Sequence, residues 1–202
     1  MNEPRVVPPM IGALVVSFEL QPVLTSDLIA VRPLRPADFD ELFAVAADPL
    51  LWEQHPQPDR HQKDIFRAFF LDALASGGAL AVVDTKDLRL IGSSRYHGYS
   101  LDRREVEIGW TFLARSHWGG VYNKELKRLM LDHAFRFVDT VIFLVGPANL
   151  RSRRAVEKLG GVLAEPGQNR AGAPHVRYRI EAVRWWGERE GAGGPSGVGS
   201  LG

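Results

Sequence analysis

Residues 105–125 read Glu105-Val-Glu-Ile-Gly-Trp-Thr-Phe-Leu-Ala-Arg-Ser-His-Trp-Gly-Gly-Val-Tyr-Asn-Lys-Glu125. From Arg104 to Leu113 the stretch alternates. Val106, Ile108, Trp110 and Phe112 fall on one face, with Glu105, Glu107, Gly109 and Thr111 on the other, which is the period of a half-buried strand. Gly109 inside such a strand marks a bulge or a close approach by another group. Gly119-Gly120 then signals a tight turn, and Asn123 is placed as the N-cap of a helix. In that helix Leu126, Leu129, Met130, His133, Ala134 and Phe137 recur at helical spacing, with Lys124, Lys127, Arg128 and Arg136 mostly elsewhere on the wheel. A glycine turn that opens a helix crowds backbone N–H groups toward one point, and the positive end of the helix adds to them. This is an anion cradle suited to a phosphate or pyrophosphate. The same glycines would also serve a plain strand-to-helix connection.

Outward from this segment the hydrophobic period keeps changing. Leu28–Arg32 alternates as a strand, and after Pro33 and Pro36 a helix is expected with Phe39, Leu42, Phe43 and Ala46 on one stripe. Asp64–Ala75 reads as a second helix, ended by Gly77-Gly78. Ala79–Asp84 and Leu88–Ser94 read as a hairpin around Thr85-Lys86-Asp87. Beyond the central helix come a buried strand Val141–Val145, a polar turn Gly146–Leu150, and a short helix Arg151–Leu159 stopped by Gly160-Gly161. Val162–Ala164 and Val176–Ala182 close the series. The order predicts an α/β (α+β) protein, a mixed sheet with helices packed on it.

Residues 187–202 hold seven glycines and almost nothing apolar, so a flexible tail is expected there. Residues 1–26 read as an irregular arm, leaving a single working domain over 27–186. The whole chain has 202 residues, 25 Lys+Arg against 24 Asp+Glu, and no cysteine. A net charge of +1 gives no field to draw it onto nucleic acid or an anionic membrane, so neither is expected as a partner. The apolar run Ile11–Val16 is too short for a membrane span, and the chain is expected to be soluble and unprocessed. Without cysteine there is no thiol nucleophile, disulfide or Cys-containing zinc site, and the composition suits a reducing cytoplasm. None of the six histidines forms a metal-spaced pair, so no metal is expected. Arg151, Arg153 and Arg154 read as a solvated helix face, and His133 as a core histidine.

Four pieces together carry a resemblance: Val31-Arg-Pro-Leu-Arg-Pro-Ala-Asp38, Glu107-Ile-Gly-Trp110, Trp118-Gly-Gly-Val-Tyr-Asn-Lys-Glu125 and Asn149-Leu-Arg-Ser-Arg-Arg-Ala-Val-Glu-Lys-Leu-Gly160. In this order they resemble the GNAT N-acetyltransferase superfamily, in its ribosomal-protein-acetyltransferase-like branch. The third piece is similar to that branch's acetyl-CoA pyrophosphate loop, Trp-Gly-x-Gly-Tyr-Ala-x-Glu. The chain departs from it at Val121 and Asn123, and Gly120 stands one place early. Two outcomes stay open: a modified loop in which Asn123 reaches a phosphate, or weaker cofactor binding.

The resemblance implies a GNAT fold of about six to seven strands and about four helices. It also implies direct transfer of acetyl from acetyl-CoA to a primary amine in a ternary complex, with room for a homodimer. Pantetheine would lie in a gap between the strands at Glu107–Leu113 and Val141–Val145, paired with the backbone near Phe112 and Leu113. His117, Trp118, Gly119, Gly120, Val121, Tyr122 and Asn123 would hold the pyrophosphate, and Asn149 would bond the cofactor or orient the turn. Glu107 is the candidate base, with Glu105 on the same face, and Ser152 the candidate donor to the departing thiolate. Trp52 and His55, at the end of the first helix, would wall the acceptor, or merely tuck a tryptophan into the core. A non-catalytic acyl-CoA-binding or protein-interaction module on the same scaffold remains the alternative.

Overall fold

Strand and helix periods meet in one sheet with helices on both faces. The computed structural model describes residues 17–164, 167–168 and 174–191. Residues 1–16 of the expected arm and 192–202 of the expected tail lie outside the described residues. The strands are β1 (Leu24–Thr25), β2 (Ile29–Pro33), β3 (Ala79–Asp84), β4 (Leu90–Ser100), β5 (Glu105–Leu113), β6 (Thr140–Val145), β7 (Val162–Leu163), β8 (Gly167–Gln168) and β9 (Pro174–Glu181). The helices are α1 (Phe39–Ala46), α2 (Lys63–Ala75), α3 (Val121–Ala134), α4 (Leu150–Glu157) and α5 (Ala182–Gly191). The spatial order is β1-β2-β3-β4-β5-β6-β9-β7, with β8 on β9. Every pairing is antiparallel except β5 with β6, which the α3 crossover makes parallel.

The described residues thus hold nine strands and five helices, more than the six to seven and four expected. The excess comes from the two-residue strands β1, β7 and β8, too short to show a period, and from α5. Two boundaries also differ. Part of the arm packs on the body, with Phe18 buried and β1 paired to β2, and α5 carries the chain past residue 186.

The sheet divides two apolar layers. On the α3 side Val31, Leu80, Val82, Ile91, Tyr96, Val106, Ile108 and Leu113 meet Leu126, Met130 and Ala134. On the α1/α2 side Ala81, Leu90 and Phe112 meet Leu42, Ala46, Trp52, Phe66 and Phe70. A fully buried side chain of this size contributes about 1.5–3 kcal/mol. Tyr96 is sealed in the first layer and donates its hydroxyl to the Met130 carbonyl, 2.5 Å away. His133 is likewise buried there, its Nε2 2.8 Å from the Glu19 carbonyl oxygen.

The α3 wheel needs one correction. Lys127, expected on its polar side, is 5% exposed, with its ammonium reaching Ser94 and Thr111 under the sheet.

Candidate active site

β5 decides the site, and its alternation is broken. Gly92 and Ser93 of β4 face Leu113 and Phe112, but Arg95 faces Gly109, so Trp110 and Thr111 together stand opposite Ser94. Trp110 takes φ +51°, the left-handed region that a tryptophan enters only as part of a bulge. The bulge corrects the expected face: Val106 and Ile108 point to the α3 layer, whereas Phe112 points to α2, 5.1 Å from Trp52. Thr111 turns to the α3 side, where its hydroxyl lies 2.7 Å from that of Ser94. Past the bulge β5 also leaves β6. The two pair only over Glu105–Glu107 against Thr140–Ile142, and Ile108–Leu113 has no ladder to Phe143–Val145. That is the expected gap between strands.

At the open end of the gap lies the glycine turn. Gly119 has φ +70°, and neither Gly119 nor Gly120 has an atom within 4 Å of where a Cβ would stand, so the turn is open to a ligand. α3 begins three residues earlier than expected. Gly120 is its N-cap with no side-chain cap, and Asn123 is its third residue. The N–H groups of Val121, Tyr122 and Asn123 therefore belong to the uncapped first turn, where the helix leaves its donors free. Val121 points its side chain to solvent at 56% exposure, so lack of a glycine there leaves the backbone donors in place.

The loop is clamped from below. Asp84, at the end of β3, accepts from the Tyr122 hydroxyl at 3.0 Å and meets His117 Nε2 at 3.2 Å. The Lys86 backbone N–H, then Tyr122 and His117, hold the Asp84 carboxyl below its usual value. The side chains of His117 and Tyr122 thus face Asp84, and with the His117 N–H donated to the Ala114 carbonyl at 2.8 Å, the Tyr122 N–H is the backbone donor of the two left for a phosphate. Trp118 donates its indole N–H to the Leu113 carbonyl at 2.8 Å, which occupies one acceptor position expected to serve pantetheine. Arg151 is not fully solvated as expected: it is half-buried, with its guanidinium carbon over Trp118, 3.9 Å from the ring centroid, and a donor to the Leu51 carbonyl at 3.0 Å.

Asn149 and Ser152 come together as expected, at the end of β6. Asn149 is the buried N-cap of α4, its Oδ1 accepting from the Ser152 N–H at 3.1 Å. Asn149→Ala removes that cap and is expected to cost about 1 kcal/mol, seen as a lower urea midpoint at unchanged m-value.

Glu107 is buried on the α1/α2 face, opposite His97, and its carboxylate leans over Gly109: a Cβ there would stand 3.0 Å from Oε1. Glycine at 109 makes room for that carboxylate. Glu105 is engaged instead by Arg177 and, at 3.7 Å, by Arg103.

Trp52 is a core residue. It is 2% exposed and its indole donates to the Ala46 carbonyl at 2.7 Å. His55 lies against it, and burial drives its imidazole pKa down to about 3, so it is neutral at physiological pH. Asp84, which clamps the glycine loop, and the buried Arg60 and Arg95 were not singled out by the sequence reading. Of these only Asp84 had a local signal, as a carboxylate closing an otherwise apolar strand.

Among known proteins, the family model described as an acetyltransferase (GNAT) domain matches residues 29–162. The chain belongs to the GNAT acetyltransferase family. A GCN5-related N-acetyltransferase from Brucella melitensis superposes with a TM-score of 0.74 at 16% identity, over 84% of this chain and 83% of that one. The acetyltransferase from Agrobacterium tumefaciens str. C58 is 26% identical over 84% of this chain and 98% of its own, with a TM-score of 0.62. Spermidine N-acetyltransferase from Vibrio cholerae, in complex with CoA and spermine, is 15% identical over 80% and 99%, also with a TM-score of 0.62. No curated protein matches the sequence. Among the described residues no helix is long and apolar enough to cross a membrane, and no group of three or more His, Cys, Asp or Glu is placed to hold a metal ion.

Proposed function

We propose that this chain is an N-acetyltransferase of the ribosomal-protein-acetyltransferase-like branch, moving acetyl from acetyl-CoA directly to a primary amine on a protein N-terminus or a small molecule. The observation that carries the reading is the fork between β5 and β6, opening onto the uncapped N-terminus of α3 at Gly119-Gly120. The donor set fits acetyl-CoA: a helix first turn and two glycines for the pyrophosphate, and unpaired strand edges for the pantetheine amides. The departure at Val121 leaves those backbone donors intact.

When bound, acetyl-CoA supplies an activated acyl group. The amine nitrogen forms the bond to the acetyl carbon and gives a proton to Glu107, the C–S bond breaks, and the Ser152 hydroxyl donates a hydrogen bond to the departing thiolate, which takes its proton from solvent as Glu107 returns its own. Asn149 holds the Ser152 backbone in place. Without cysteine, transfer passes through no cysteinyl intermediate. A cytoplasmic location agrees with the same composition.

CoA release, followed with a mixed panel of amines and peptides, tests the reading. Turnover on at least one acceptor is expected, and Ser152→Ala should lower kcat on it about tenfold to a hundredfold. Tight acetyl-CoA binding without turnover on any acceptor would instead favour a non-catalytic acyl-CoA-binding module.

A further inference from the structure

Two arginines on the α1/α2 face of the fork are more deeply buried than their partners justify. Arg95 of β4 is 2% exposed, and Arg60, in the segment between α1 and α2, is 7% exposed. Both guanidinium groups converge on Phe69, at 5.9 and 4.2 Å from its ring centroid, and Arg95 also lies 4.6 Å from the Trp110 ring at the bulge. Arg95 Nη1 donates to Asp72 at 2.8 Å, but its Nε and Nη2 have no hydrogen-bond partner, and neither does Arg60 Nε. Asp72 is a weak counter-charge, its side chain being 69% exposed at the rim. Of the other donors of Arg60, one reaches the exposed Gln57 side chain and one lies 3.1 Å from His55 Nε2, whose Nδ1 already accepts from the Gln57 N–H, so neither meets a charged acceptor.

A buried guanidinium nitrogen without a partner forfeits more than an ordinary hydrogen bond returns, and such donors are rare in native folds. We infer that Arg60 and Arg95 form an anion subsite on the acceptor side of the fork, so that the amine acceptor carries a carboxylate a few bonds from its amine. The word acceptor rests on the acetyl-transfer reading. The subsite itself does not.

Several observations support it. Arg95 is the register partner of Gly109, over which the Glu107 carboxylate leans, so cation and base are neighbours on one face. A carboxylate would replace the Gln57 amide on Arg60 with a charged acceptor, roughly doubling the strength of that bond, and would bring a second oxygen to the orphan nitrogens. Burial and the nearby Arg95 pull the Arg60 pKa down to about 10, and His55 stays neutral, so the pair remains cationic with the rim-exposed Asp72 as its ion-pair partner. A polyamine, the kind of acceptor bound in the Vibrio cholerae structure, would meet repulsion at this place.

The test uses matched acceptors: β-alanine against 3-aminopropanamide, the peptide Ser-Glu-Ala amide against Ser-Gln-Ala amide, and spermidine. The acid should exceed its amide at least tenfold in kcat/KM, about 1.4 kcal/mol, in one pair. Which pair responds tells a small amino acid from a peptide terminus. In Arg95→Met and Arg60→Met the ratio should fall to within about twofold. Arg95→Lys, which keeps the charge and drops the fork, should give an intermediate ratio with native near-ultraviolet dichroism. Equal rates for acid and amide in wild type, a ratio that survives both variants, or spermidine as the best acceptor overturns the subsite. Should no amine turn over, the acetyl-transfer reading fails separately. Succinate binding, followed by tryptophan fluorescence, then decides the subsite: saturable quenching lost in Arg95→Met supports it, and no quenching in wild type overturns it.

Discussion

Glu107→Gln is expected to lower kcat/KM for the amine about a hundredfold or more while leaving acetyl-CoA affinity unchanged, because it removes the proposed proton acceptor and keeps the length of the side chain. Lysine-type amines titrate near 10.4 and α-amines near 7.7–8.0, so at neutral pH most of the acceptor is protonated and cannot attack. A positioned base contributes about 10²–10⁴-fold to such a step. Glutamine keeps the shape of the side chain over Gly109, so packing is preserved in this buried position. The variant's residual rate should climb steeply with pH toward the pKa of the acceptor, since only amine deprotonated in solution would react. Steady-state rates from pH 6 to 10 check this. A variant within about threefold of wild type at pH 7, with the same pH profile, would remove Glu107 from the mechanism.

The second large effect concerns stability. Burial alone draws the Lys127 pKa down from 10.5 to about 7, since its ammonium sits beneath the sheet among Ser94, Thr111 and the Phe143 ring. The folded pKa lies below the unfolded one, so between about pH 7 and 10.5 the unfolded chain binds the extra proton. The destabilisation is therefore complete below pH 7 and is relieved as pH rises. Unfolding free energy should increase with a slope approaching about 1.4 kcal/mol per unit of pH between pH 8 and 9.5. Arg60, with its pKa lowered to about 10, and the phenol of Tyr96 act only above that window. Lys127→Met removes the titrating group, while the hydroxyls of Ser94 and Thr111 keep their mutual bond at 2.7 Å. The variant should be a few kcal/mol more stable than wild type at pH 7 and flat across the window by urea denaturation. A wild-type curve without slope would refute a neutral buried amine at this place.

The parts of the candidate site built from local backbone were legible in the sequence. Gly119-Gly120 before an amphipathic helix, and Asn149 three residues before Ser152, both specify a helix start, which depends on neighbours within one turn of chain. The N-cap moved three residues, from Asn123 to Gly120, a shift of the size at which helix ends are poorly specified by sequence. By contrast, the face assigned to Trp110 and Phe112 was wrong. A single bulge residue reverses every later side chain, and it arises from register with β4, which no local pattern records.

Trp52 and Lys127 show the same limit in opposite directions. Trp52, read either as a wall of an acceptor site or as a tryptophan tucked into the core, is enclosed by Phe69 and Phe112 from distant segments and by the nearby His55. Lys127 sits where a helical wheel predicts solvent, yet the space under the fork between β5 and β6 takes its ammonium. A wheel ranks positions relative to one helix and is blind to what lies across from it.

By itself, the sequence determined a mixed sheet with helices, the place of the glycine turn that opens α3, and a chemistry without thiols, since period, turn residues and composition act over a few residues at a time. Tertiary structure alone decided where β5 leaves β6, which face Glu107 and Phe112 present, that Asp84 clamps the loop, and that Arg60 meets Arg95 across 35 positions of chain. Each of these is a contact between remote segments, set when the two apolar layers close on the sheet, and no local propensity encodes it.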